Sequence, residues 1–229
     1  MSSLYLPTWG RMMRAVIFGS PGSGKGTYST RLHDRLGVEV ISMGDIFRTM
    51  MMEKGILGRI IKRYVDAGLL VPDPIVIEVL ADIIMRLSEG KGFILDGFPR
   101  TLAQAEALEN ITPIDAIIQL KVPDWIIIER LSARRICSCC GAAYNLRYMK
   151  PKVAGVCDRC GGSLYRRSDD SPDVIKMRLD VYKNETRSIL RFYQSKCVPA
   201  IKHNTDKLDV PPDKVVDHIV AELKKLNLA

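Results

Sequence analysis

Residues 19–27 combine the residue types that hold a phosphate group. The segment reads Gly19-Ser-Pro-Gly-Ser-Gly-Lys-Gly-Thr27 and follows the short apolar run Arg14–Phe18. Glycines let the backbone curl until successive N–H groups face one anion, and a helix that begins near Gly24 adds its positive dipole end. Lys25 is placed to reach the β- and γ-phosphates. The segment therefore predicts a nucleoside triphosphate site, rather than a glycine-rich turn without a ligand.

Five of the six cysteines lie within 24 residues, which indicates a local metal site. Cys137-Ser-Cys-Cys140 and Cys157-Asp-Arg-Cys160 give the spacing C-x₂-C-x₁₆-C-x₂-C of a four-thiolate zinc site. Such a site has no open coordination position, so the zinc is expected to be structural. Cys139 breaks the spacing and is not expected to be a ligand. The alternative is four structural thiols without metal.

A carboxylate and several arginines could complete the chemistry. Asp96 follows the apolar run Phe93–Leu95, and a carboxylate at a strand end can hold the water of a bound Mg²⁺. A simple Asp-Gly turn is the alternative. Each arginine taken alone is more typical of a solvated surface charge.

Short apolar runs alternate with helical patterns along the chain. The predicted strands cover residues 14–18, 38–41, 93–95, 116–120 and, weakly, 207–210. The predicted helices cover residues 27–36, 74–87, 102–109, 124–135, 174–193 and 214–226. This alternation predicts an α/β fold with a parallel sheet covered on both faces. Residues 43–72 and 136–171 break the rhythm and are predicted to be insertions above the sheet.

Composition narrows the class of protein further. The 229 residues are 47% hydrophobic and 26% charged, which excludes a disordered chain. The sequence contains no run of 18 apolar residues, so a membrane-spanning helix is not predicted. A net charge of +8 suggests an anionic partner. Residues 1–13 are expected to form a short tail without an export signal. Metal-bound thiolates are typical of a cytoplasmic protein.

Four motifs together resemble the nucleoside monophosphate kinases, and adenylate kinase in particular. They are residues 19–27, Ser42-Met-Gly-Asp-Ile-Phe-Arg48, Asp96-Gly-Phe-Pro-Arg100, and Arg166-Arg-Ser-Asp-Asp170 followed by Arg178. The resemblance covers almost the whole chain, from about Arg14 to Leu226. It implies the reaction MgATP + AMP ⇌ MgADP + ADP, with Mg²⁺ bound to the nucleotide and structural Zn²⁺, in a monomeric cytoplasmic enzyme without nucleic-acid or membrane partners.

The resemblance also implies an architecture, the long form of the family. It is a P-loop three-layer α/β fold with a five-stranded parallel sheet, whose core is residues 14–42, 73–135 and 172–229. A helical insertion that binds the nucleoside monophosphate would be residues 43–72. A zinc-ribbon-like lid with four cysteine ligands would be residues 136–171.

Roles carry over residue by residue from the matching motifs. The residues implied in catalysis are Lys25, Arg100, Arg130, Arg134, Arg167 and Arg178. The residues implied in ATP binding are Gly22, Ser23, Gly24, Lys25, Gly26, Thr27, Arg130, Arg134 and Tyr144. The residues implied in AMP binding are Met43, Arg48, Leu69, Leu70, Val71, Gly97, Arg100, Gln104, Arg167 and Arg178. Asp96 would hold Mg²⁺ through water, and the zinc ligands would be Cys137, Cys140, Cys157 and Cys160. Asp169 and Asp170 are expected to orient the arginines.

Three alternatives stay open at this point. Adenylate kinases usually have Thr where this chain has Met43, whereas uridylate–cytidylate kinases commonly have Ala there and Asn at the position of Thr101; AMP is nevertheless predicted over CMP and UMP. Gln104 fits a base contact, but Thr101-Leu-Ala-Gln104 is also a capping box. A zinc ribbon near arginines could also belong to an ATPase that binds nucleic acid, although the resemblance of the lid argues against that alternative.

Overall fold

The computed structural model describes residues 13–53, 55–87 and 91–229. Its strands are β1 (Arg14–Gly19), β2 (Glu39–Ser42), β3 (Phe93–Asp96), β4 (Ala116–Lys121), β5 (Arg134–Cys137), β6 (Ala143–Asn145), β7 (Leu164–Tyr165) and β8 (Ala200–Asn204). Its helices are α1 (Lys25–Leu36), α2 (Met43–Met52), α3 (Ile56–Asp66), α4 (Asp73–Arg86), α5 (Leu102–Ile111), α6 (Asp124–Ser132), α7 (Pro172–Ser195) and α8 (Pro212–Lys225).

Five strands form a parallel sheet in the order β2-β3-β1-β4-β8. Successive residues of β1 point to opposite faces, so Val16 and Phe18 pack in one apolar cluster and Ala15 and Ile17 in another. The first cluster includes residues of α4, α5 and α7, and the second includes residues of α1 and α8. Helices therefore cover both faces of the sheet, and the predicted three-layer α/β fold is confirmed.

The fifth strand is not where the sequence predicted it. Residues 207–210 lie outside the sheet, with a turn at 208–209, and β8 forms the edge instead. Only Ile201 of β8 is buried, because an edge strand beside α8 has water on its other side. β8 thus contains one large apolar residue, Ile201, whereas Lys207-Leu-Asp-Val210 contains two.

Both predicted insertions contain the expected kinds of structure. Within 43–72 the described residues form α2 and α3 and no strand. The antiparallel sheet β6-β5-β7 lies mostly within the second insertion. It begins at Arg134, so the helix predicted over 124–135 ends earlier, at Ser132. The proposed domain boundaries themselves stay predictions.

The chain enters the sheet at Met13, which is buried and accepts a hydrogen bond from the Phe93 N–H at 2.8 Å. The rest of the predicted tail, residues 1–12, lies outside the described residues. Among the helices that the structure describes, none has the length and apolar character of a membrane span.

Candidate functional site

The glycine-rich loop connects β1 to α1 at the carboxyl edge of the sheet. Gly22 has φ 81° and Gly24 has φ 101°, a left-handed conformation that side chains disfavour. A Cβ on Gly22 would also lie 2.7 Å from the Leu131 Cγ. The Lys25 ammonium donates to the Gly19 carbonyl at 2.7 Å and to the Ser20 carbonyl at 3.2 Å, so it lies across the mouth of the loop. Positive φ at two glycines is compatible with the curled backbone of a phosphate site.

Asp96 ends β3 beside this loop, in register with Ile17 of β1. Its carboxylate is buried, and a Cβ on Gly26 would lie 3.7 Å from Asp96 Oδ2. Burial raises the pKa of Asp96, against the opposing effect of Lys25 and Arg100. Burial lowers the pKa of Lys25 to about 8, with Asp96 opposing and the neighbouring arginines reinforcing the change. The site is thus partly desolvated, which strengthens its electrostatic interactions.

Two arginines at the site are held by acidic residues of the 3₁₀ turn Ser168–Asp170. Arg134 donates through two nitrogens to Asp170, at 2.8 and 2.6 Å, and Asp170 is fully buried. Arg178 Nη1 lies 2.8 Å from an Asp169 oxygen and 3.7 Å from an Asp170 oxygen. The expectation that these acids orient arginines is therefore confirmed for Arg134 and Arg178.

Arg167 is weakly paired compared with Arg134 and Arg178. Its nearest carboxylate is Asp45, with 3.9 Å between Nη2 and Oδ1, and its buried Nε has no hydrogen-bond partner among the described residues. Burial, together with Arg134 and Arg48, lowers the pKa of Arg167 to about 10. A buried guanidinium N–H without a partner costs stability, and an anionic ligand would satisfy it.

Cations exceed carboxylates at this edge of the sheet. Six cations are linked here through pairwise electrostatic interactions, namely Lys25, Arg48, Arg100, Arg134, Arg167 and Arg178. The four carboxylates among them are Asp45, Asp96, Asp169 and Asp170. Six minus four leaves an excess of two positive charges, which a polyphosphate would offset.

Two residues implied in ATP binding lie in different surroundings. Arg130 donates to the Ser23 carbonyl of the loop at 3.3 Å. Tyr144 is instead buried against the cysteine cluster, where its hydroxyl accepts from the Asp158 N–H at 2.7 Å and lies 3.4 Å from Cys157 Sγ. The structure therefore brings Arg130 to the phosphate loop and places Tyr144 in the lid.

On the acceptor side, a cavity lies between the loop, α7 and two connecting segments. Leu70, Gly97 and Arg100 line it, and Arg100 Nε donates to the Gly97 carbonyl at 2.8 Å. Met43 and Val71 are buried in the first core cluster. Leu69 is 46% exposed. The acceptor-site residues thus approach one region, but Met43 contributes to packing rather than to the cavity lining.

Gln104 is buried and engaged at both ends of its amide. Thr101 caps α5 by accepting from the Gln104 N–H at 3.1 Å, as the capping box predicts. The side chain does not complete that box: Oε1 accepts from the Arg100 N–H at 2.7 Å, and Nε2 donates to Asp73 at 2.7 Å. Sequence reasoning missed Asp73, whose only local signal is its place at the start of a helix.

The four predicted zinc ligands meet in the lid. Their Sγ atoms all lie within 4.8 Å of one another, with 3.5 Å between Cys137 and Cys160 and 3.6 Å between Cys140 and Cys157. Sulfurs at ~2.3 Å from a tetrahedral zinc would be ~3.8 Å apart, whereas a disulfide requires about 2.05 Å. The cluster therefore fits a metal better than disulfides. Cys139 is not part of it.

Comparisons with known proteins agree with this geometry. A family model described as adenylate kinase matches residues 17–198. The adenylate kinase of Caldicellulosiruptor saccharolyticus is 47% identical over 189 residues, which cover 80% of this chain and 88% of that protein. The adenylate kinase of Bacillus subtilis is 42% identical over 219 residues, 93% of this chain and 100% of that protein. The adenylate kinase of Methanocella arvoryzae is 42% identical over 217 residues, 93% and 97% of the two chains. The chain belongs to the adenylate kinase family.

Proposed function

We propose that this protein transfers a phosphoryl group reversibly from MgATP to AMP, giving two ADP. The observation that carries the proposal is the excess of cations beside the phosphate loop, where the buried Arg167 Nε has no hydrogen-bond partner among the residues that the structure describes. Membership of the adenylate kinase family, and relatives that bear that name, support the same reaction.

Catalysis in this proposal is alignment and charge stabilisation. The N–H groups of residues 22–27 and Lys25 bind the donor phosphates, and Arg48 and Arg100 grip the acceptor phosphate. Arg130, Arg134, Arg167 and Arg178 offset the charge that spreads over the transferring group. The acceptor phosphate is already an anionic nucleophile, so the reaction requires no general base.

Asp96 is the residue that we propose for Mg²⁺, through water. A buried carboxylate beside Lys25 and the first turn of α1 fits such a role, since Mg²⁺ keeps several waters and takes few protein ligands. When bound, the ion would neutralise phosphate charge. Asp96 would orient that hydrated ion relative to the loop.

We further propose that the cysteine cluster binds one structural Zn²⁺. The ligands would be Cys137, Cys140, Cys157 and Cys160, and their sulfur separations support tetrahedral coordination. Gly141 and Gly161 have φ of 69° and 73°, which allows the tight turn after each cysteine pair. Zinc would stiffen the lid without joining the chemistry. Reduced thiolate ligands also support a cytoplasmic protein.

Measurement of ADP formation with an acceptor panel tests the proposal. ATP should react with AMP much faster than with GMP, CMP or UMP. Lys25→Met should lower turnover with AMP by at least about a hundredfold, because it removes a cation aligned with the donor phosphates. Comparable turnover with CMP or UMP would contradict the AMP assignment. Retained activity of Lys25→Met would contradict the phosphate site, and salt-sensitive binding of DNA or RNA would favour the nucleic-acid alternative.

We also propose that the protein is a monomer, which sedimentation velocity of the purified protein tests. The expected sedimentation coefficient is that of a single 25.7 kDa chain. A larger species at all concentrations would contradict it.

A further inference from the structure

We propose that Asp73 is a specificity-determining positioning residue, which fixes the orientation of the Gln104 amide and so selects six-amino over six-oxo purines. The inference rests on the proposed function, because it takes Gln104, which the family resemblance implies in AMP binding, as the residue that faces the acceptor base. Asp73 begins α4 and Gln104 lies in the first turn of α5, so the two helix starts meet here.

The contacts form a closed network. Gln104 Nε2 donates to Asp73 Oδ1 at 2.7 Å, and Thr101 Oγ1 donates to Asp73 Oδ2 at 2.9 Å. Thr101 Oγ1 in turn accepts from the Gln104 N–H at 3.1 Å. Gln104 Oε1 accepts from the Arg100 N–H at 2.7 Å, and Gln104 as a whole is only 1% exposed.

The chemistry of the two partners determines which way the amide points. A carboxylate can only accept hydrogen bonds, and a backbone N–H can only donate one. If the Gln104 amide rotated by half a turn, its NH₂ would face the Arg100 N–H and its carbonyl would face the Asp73 carboxylate. Both contacts would be lost inside the protein, where an unpaired polar group is costly. The chemistry of the two partners therefore fixes the orientation of the Gln104 amide.

This network leaves one donor and one acceptor of the amide unused, and the proposal requires that binding of the acceptor base open this buried amide to the ligand, since Gln104 is only 1% exposed. The NH₂ group has two donors and the carbonyl two lone pairs, and the structure uses one of each. A six-amino purine offers a donor at N6 and an acceptor at N1, whereas a six-oxo purine offers an acceptor at O6 and a donor at N1–H. An amide held in one orientation can pair with only one of these two edges. A freely rotating amide could pair with both.

Two nucleotides that differ only at this edge provide the experiment. We would measure kcat/KM with AMP and with inosine monophosphate for the wild type, Asp73→Ala and Asp73→Asn. Asp73→Ala should reduce the preference for AMP by at least about tenfold, because one of the two contacts that oppose rotation is gone. Asp73→Asn should keep the preference within about threefold, since its carbonyl can accept from Gln104 and its NH₂ can donate to Thr101.

The ratio of the two kcat/KM values separates positioning from mere stability. Loss of folded protein lowers both values together and leaves the ratio unchanged. An Asp73→Ala enzyme whose preference for AMP falls by less than about tenfold would overturn the inference while the proposed function stands. A wild type that does not phosphorylate AMP would overturn the proposed function first. If Asp73→Ala does not fold, Asp73→Ser, which also lacks the carboxylate, is measured in the same way with the same expected loss.

Discussion

Replacing Asp170 by Asn tests how the cationic site is held together. Asp170 is fully buried, accepts two hydrogen bonds from Arg134, and has an oxygen 3.7 Å from Arg178 Nη1. Asn keeps the shape of the side chain and removes its charge. Arg134, only 17% exposed, would then have no carboxylate in contact, and the site would gain one positive charge.

The expected loss of stability is large. Breaking a buried ion pair by removing one partner costs about 3–5 kcal/mol, because the remaining charge is left desolvated. In a protein of this size each kcal/mol shifts Tm by about 2–4 °C, so Asp170→Asn should lower Tm by roughly 6–20 °C. The matched control is Asp213→Asn. Asp213 is 64% exposed and pairs with Arg31 at 3.2 Å, and a surface pair contributes at most about 1 kcal/mol.

Thermal unfolding followed by circular dichroism, with and without ADP, measures both effects. ADP should raise Tm more for Asp170→Asn than for wild type, because its phosphates offset the added positive charge. Equal Tm losses for Asp170→Asn and Asp213→Asn would refute the reasoning, since it depends on burial. So would an ADP-induced increase in Tm that is the same for Asp170→Asn and wild type.

Three further predictions follow from other parts of the structure. Burial lowers the pKa of Lys25 from 10.5 to about 8, so the charged side chain lowers the free energy of unfolding below pH 8, and this loss fades as the pH rises towards 10.5. The midpoint of urea unfolding at pH 7 should therefore be higher for Lys25→Met than for wild type. A difference between the two midpoints that does not change with pH would contradict this prediction. Elemental analysis should find one zinc per chain, lost in Cys157→Ser and kept in Cys139→Ser, and chelation should lower Tm; a Tm unchanged by zinc removal would contradict the structural role. Gly22→Ala should cost about 1–3 kcal/mol, because its φ is positive and a side chain lies 2.7 Å from the new Cβ, whereas Gly37→Ala, with φ 67° and open space, should cost only about 1 kcal/mol by urea unfolding.

Local sequence patterns correctly predicted the strands in which consecutive residues are buried. Val16, Ile94 and Ile117 lie in strands buried on both faces, and such strands show as apolar runs in the sequence. The edge strand β8 failed this test because one buried residue, Ile201, is too little signal. Its place beside β4 is decided by packing against α8, which no local window contains.

The site divides in the same way. The loop around Lys25 was predictable because its conformation is dictated by its own glycines. Contacts between distant segments were not predictable. The Asp73–Gln104 pair joins residues 31 positions apart, and no pattern in either segment indicates a contact with the other. Gln104 also shows that two interpretations of one pattern can be compatible, since its backbone N–H completes a helix cap while its side chain belongs to a separate network.

The net charge follows from the sequence, but the pairing of the individual charges is visible only in the structure. Sequence counting places an excess of Lys and Arg in the chain but cannot distinguish a paired arginine from an unpaired one. Arg134 and Arg178 are held by buried carboxylates, whereas among the described residues Arg167 has only a carboxylate at 3.9 Å and its Nε has no hydrogen-bond partner. The paired arginines gain a fixed position, and the underpaired one retains charge for a ligand. A site that contains both kinds of arginine is therefore preorganised and still able to bind an anion, which is the combination that phosphoryl transfer requires.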